Sequence, residues 1–90
     1  MERIELRSIT EHDWNSDVGI IATDATARMR GVRMAPVETL PNDPVAFARG
    51  LYAALYHLER AGVRHLVLED VPHTPAWNAV RDRLLRAAER

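Results

Sequence analysis

The sequence predicts a small α/β domain: a mainly parallel sheet of three to four strands, in two or three layers, with two long helices. Three observations point there. Val18-Gly19-Ile20-Ile21-Ala22-Thr23 is a continuous apolar run rich in β-branched residues, as in a strand covered on both faces. The second half alternates strand, helix, strand and helix, which favours a right-handed parallel crossover. Finally, two stretches carry apolar residues at three- and four-residue spacing, the period of a helix with one buried face.

Taken in order, Ile4 and Leu6, with Ile9 a further candidate, alternate with Glu5, Arg7 and Ser8 and predict a short edge strand. Thr10 to Asp17 is polar and reads as a loop. After the buried run at 18–23, Asp24 to Arg30 predicts a short helical turn starting at Asp24 or Thr26 and ended by Gly31. Val32 to Leu40 holds another strand, confined to an edge or a bulge by Pro36. The main helix begins after Asn42 or Asp43 as cap, with Pro44 at its first position, where the missing N–H would be unpaired anyway. Val45, Ala48, Leu51, Tyr52, Leu55 and Leu58 define its apolar face, and Gly62 its left-handed end. His65-Leu66-Val67-Leu68 is a buried strand ending in Glu69-Asp70. Thr74 as cap and Pro75 then start a last helix, with Trp77, Val80, Leu84, Ala87 and Ala88 inward and Arg81, Asp82, Arg83 and Arg86 in water. Gly50, inside the main helix, marks either a close approach to a neighbouring element or chance.

Composition excludes more than it identifies. Ninety residues make one domain with a thin core, so docking on a partner or self-association is a natural way to bury more. All twelve basic residues are arginine, which removes a phosphate loop ending in lysine, a Schiff-base lysine and a lysine general base. The absence of cysteine removes disulfides, thiolate zinc sites and cysteine nucleophiles. Interspersed charge, net -1, argues against direct nucleic-acid binding. No run reaches the roughly 18–20 apolar residues of a membrane span, and the amino terminus lacks a signal-peptide pattern. A cytoplasmic location is the expectation.

The two helices carry a resemblance. Ala48-x-x-Leu51-Tyr52-x-x-Leu55-x-x-Leu58-Glu59, then Leu66-Val67-Leu68-Glu69, then Ala79-Val80-Arg81-Asp82-Arg83-Leu84-x-Arg86-Ala87-Ala88, resembles the carboxy-terminal accessory domain of the two-domain threonylcarbamoyl-AMP synthases over roughly residues 40–88. Those enzymes make the activated intermediate for threonylcarbamoyladenosine in transfer RNA, and their small domain is a Rossmann-like α/β unit following the catalytic domain. Two departures stand out. Pro72-His73-Thr74-Pro75-Ala76-Trp77 replaces a glycine-rich turn, and Tyr56 and Glu59 replace the family's arginine and aspartate late in the first helix. No catalytic residue carries over, since nothing here resembles the family's catalytic domain, whose ATP pocket includes lysine, and the chain has no lysine. The resemblance implies a stand-alone accessory domain without catalysis or cofactor, acting through a protein partner or as a homodimer.

If the sheet is parallel and open, ligands bind outside the carboxyl ends of its strands. Thr23, Asp24 and Thr26 would lie there after one strand, and Glu69, Asp70, His73 and Thr74 after another. They could hold a hard divalent ion, or Asp24 and His73 could act as an acid–base pair. With Arg28 or Arg30 they offer the alternative of a small-ligand or nucleotide-binding module. The plainer reading makes Asp24 and Thr74 helix caps and leaves Glu69 and Asp70 solvated. His12, His57 and His65 have no metal-ligand spacing. Trp14, Met34 and Tyr56 are candidate interface residues, whereas Trp77 and Tyr52 are expected to fill the core.

Overall fold

The computed structural model describes residues 3–14, 17–30 and 36–89. Four strands, β1 (Arg3–Arg7), β2 (Gly19–Thr23), β3 (Val37–Leu40) and β4 (His65–Glu69), form one sheet in the order β1-β4-β2-β3, and every pairing is parallel. Four helices accompany them: α1 (Glu11–Trp14), α2 (Asp24–Arg30), α3 (Pro44–Arg60) and α4 (Asn78–Ala88), the last preceded by a 3₁₀ turn at Pro75–Trp77. This is a small Rossmann-like sheet. Among the described residues, no helix is long and apolar enough to cross a membrane.

The register assigns each side chain to a face. Ile4 aligns with Leu66, Leu6 with Leu68, Ile21 with Leu68 and Thr23 with Leu40, so these alternate positions share one face. There Ile4, Leu6, Ile21, Leu40, Leu66 and Leu68 meet Phe47, Leu51, Ala54, Leu55 and Leu58 of α3 and Val80, Leu84 and Ala87 of α4 in the main core. α3 lies over β2 and β3, and α4 over β1. The opposite face carries Ile20, Ala22 and Val67, packed with Ile9, Trp14, Val18 and Val37 into a second, smaller core. All five residues of β2 are buried, as its unbroken apolar run requires.

α3 starts and stops by local chemistry. The Asp43 carboxylate accepts the Ala46 N–H at 2.9 Å, and Pro44 occupies the first turn. At the other end Gly62 adopts φ 83°, a left-handed conformation that a Cβ would strain. The Gly62 and Val63 N–H groups donate to Glu59 and Leu58, while Val63 packs on the core beside Leu58. Gly50 is a close-approach glycine: a Cβ there would stand 2.6 Å from Cδ2 of Leu40 on β3.

Four expectations need correction. The buried stripe of α3 is Phe47, Leu51, Ala54, Leu55 and Leu58, not one through Val45 and Tyr52, which are 62% and 63% exposed. The helix is apolar on two sides, and periodicity alone does not say which side meets the sheet. Residues 11–14 are a helical turn rather than loop, made by a reciprocal box in which Thr10 N–H donates to Asp13 Oδ2 at 2.7 Å and Asp13 N–H to Thr10 Oγ1 at 3.4 Å. Ile9 lies beyond β1 and fills the second core. Finally, the Thr74 side chain caps nothing, because Pro75–Trp77 is a 3₁₀ turn and α4 begins only at Asn78.

Candidate functional site

β2 and β4 are neighbours, yet the chain leaves them in opposite directions. From β4 it enters α4, on the face that α3 covers. From β2 it enters α2, which lies over β2 and β3. Right-handed crossovers place α2 and α3 on opposite faces, because β2 to β3 and β3 to β4 run in opposite directions across the sheet. The carboxyl ends of β2 and β4 therefore flank the crevice where open parallel sheets hold ligands.

At those strand ends the chain's own side chains bond one another. Glu69 Oε1 accepts the Thr26 hydroxyl at 2.8 Å and the Thr23 hydroxyl at 3.2 Å, while Oε2 accepts the Thr23 N–H at 3.3 Å. Thr23 Oγ1 in turn accepts the Thr26 N–H at 3.3 Å, so Thr23, not Asp24, caps α2. Both Glu69 oxygens are committed within the fold. Glu69→Gln exchanges one acceptor for a donor and is expected to lower unfolding free energy by about 1–2 kcal/mol, measured by urea titration. An unchanged midpoint would show that the three contacts contribute nothing.

Of the other candidates, Asp70 and His73 come together while Asp24 stands apart. Asp24 sits 3.7 Å from Arg28 on the surface. Asp70 Oδ1 accepts the Val71 N–H at 3.0 Å, its Oδ2 lies 3.0 Å from His73 Nε2, and Arg81 Nε is 3.6 Å from Oδ1. Asp24 and His73 thus have different partners and form no acid–base pair with each other. Arg81, expected in water, turns back to Asp70, and its Nε is buried without a hydrogen bond. Among the described residues, no group of three or more acidic or histidine side chains could hold a metal ion. Met34 and the Arg30 side chain lie outside the described residues. Trp14 is half-buried against the second core, and Tyr56 is 57% exposed with the Arg60 guanidinium over its ring. His57 meets Glu38 at 3.0 Å on the surface.

Two features escaped sequence reasoning. One is the ion pair of Arg7 and Asp13, two bonds of 2.7 Å to a carboxylate only 1% exposed. The arginine's hydrogen bonds hold Asp13 well below the usual carboxylate range, against the opposing pull of burial, and Asp13 pushes Arg7 up in return. Thr10-x-x-Asp13 was the available signal. The other is an open groove of about 370 Å³ between α3 and α4, lined by apolar side chains and by Arg49 and Arg83. It needs both helices in place and has no signature in either alone.

Residues 2–89 match the family model described as threonylcarbamoyl-AMP synthase, C-terminal domain, a span reaching well before the helices that carry the resemblance. No curated protein and no solved structure matches. A match over nearly the whole chain, on an all-parallel four-stranded α/β fold, places this protein in the family of threonylcarbamoyl-AMP synthase C-terminal domains.

Proposed function

We propose that the chain is a non-catalytic accessory domain in threonylcarbamoyl-AMP synthesis for transfer-RNA modification, working through protein contact across the outer face of α3. Family membership supplies the context. The observation that carries the contact is the exposure of Val45, Tyr52 and Tyr56, at helical spacing opposite the core stripe. Tyrosine is favoured at interfaces because one side chain offers both apolar area and a hydrogen-bonding hydroxyl. At the ends of β2 and β4, by contrast, Glu69 already bonds Thr23 and Thr26, which weighs against a small ligand there.

Light scattering on a sizing column tests this reading, with the protein alone and mixed with a threonylcarbamoyl-AMP synthase catalytic domain. The expected result is a dimer or a mixed complex that Tyr52→Ser/Tyr56→Ser weakens while the helical spectrum is kept. A monomer that ignores the catalytic domain would overturn the proposal.

A further inference from the structure

The groove between α3 and α4 adds the chemistry of the partner, an inference that rests on the protein-contact reading above. Its walls are apolar: Val45 and Ala48 from α3 face Ala79 and Val80 from α4. Val45 also belongs to the exposed face of α3, so the groove continues that face. Two charges line it, Arg49 and Arg83, and both are positive.

Among the described residues, neither charge has a carboxylate to pair with. The neighbouring arginines of α4 are taken, Arg81 by Asp70 and Arg86 by Asp82 at 3.0 Å. Arg83 and Arg49 are exposed and have no carboxylate partner among the described residues. The first turns of α3 and α4 also carry no acidic residue, and the Asp43 carboxylate before α3 accepts the Ala46 N–H. An apolar channel with two such guanidinium groups matches an apolar side chain flanked by carboxylates, since arginine pairs with a carboxylate through two parallel bonds. A basic or neutral segment would forgo that pairing.

We infer that this groove receives an acidic amphipathic segment of a protein partner, with apolar side chains between Ala48 and Ala79 and carboxylates on Arg49 and Arg83. The occupant is recognised by charge pattern as well as by oiliness, so specificity and salt dependence come from the two arginines.

Labelled helical peptides test this by fluorescence polarisation against the intact protein: a leucine stripe flanked by glutamates, the same stripe flanked by lysines, and the glutamate peptide with its leucines made alanine. The glutamate–leucine peptide is expected to bind at least about tenfold more tightly than either control. It should weaken as salt rises and perturb the amide resonances of Ala48 and Ala79. Arg49→Glu/Arg83→Glu alters only exposed side chains and is expected to invert the preference toward the lysine peptide. Equal binding of the acidic and basic peptides, absence of binding, or an uninverted preference in the variant would overturn the inference. If the domain still dimerises or holds the catalytic domain in that case, the protein-contact reading stands and only the groove's charge code fails.

Discussion

Phe47→Ala is expected to lower unfolding free energy by about 3–5 kcal/mol, the range for removing a fully buried phenylalanine. Phe47 has no exposed surface and meets Trp77 edge-to-face at a centroid distance of 5.6 Å and 80° between planes. It therefore ties the first turn of α3 to the 3₁₀ turn before α4. That contact adds to the area the ring removes from water. Domains of this size hold about 5–15 kcal/mol in all, so the variant sits near the edge of folding at growth temperature. Phe47→Leu should recover most of the loss because it refills much of the volume. Urea titration followed by circular dichroism measures both. A loss below about 1 kcal/mol for the alanine variant would mean that the helices are not packed through this ring.

Asp13→Asn is the second large effect, at about 2–3 kcal/mol, since it breaks charge-assisted hydrogen bonds at a buried carboxylate. The figure sits below that of a fully buried pair because the Arg7 side chain is 39% exposed and water screens it. The same pair governs behaviour in acid. Arg7 holds the folded Asp13 below its ordinary value of 3.8. As pH falls past that value the unfolded chain takes up a proton that the folded chain refuses. The stability from this pair is therefore complete above the ordinary value and is lost progressively below it. Urea midpoints across acid pH should fall more steeply for the wild type than for Asp13→Asn. Parallel curves would show that the ion pair contributes no pH dependence.

What the sequence revealed depended on whether the cause was local. Pro44 and Gly62 act within one turn of α3 and stand where the sequence put them, and of the two cap candidates, Asn42 and Asp43, the structure uses Asp43. The burial of β2 was legible because an unbroken apolar run fits only a strand covered on both faces. Tyr52 was misplaced because α3 has apolar residues on two sides, and the sheet residues of the main core, Leu40, Ile21, Leu66 and Leu68 among them, decide which side is inside. The bonding among the candidate site residues was hidden for the same reason. Thr23, Thr26 and Glu69 were gathered at the strand ends, but that the glutamate would bond both threonines depends on β2 and β4 being neighbours. Asp70 and His73 were also gathered at the end of β4, and they meet each other at 3.0 Å, with Arg81 as a further partner of Asp70.

The strand order β1-β4-β2-β3 has a consequence for synthesis. Of the described strands, the last to leave the ribosome is the one that belongs in the middle. Until β4 emerges, β1 has no ladder partner and β2 presents Ile20 and Ile21 on a raw inner edge. Folding of the nascent chain must wait for one late segment to be inserted between two earlier ones, and a premature β1–β2 pairing would have to be undone first. A ribosome paused before His65 should hold a chain open to proteolysis, and one paused after α4 has cleared the exit tunnel a protected one.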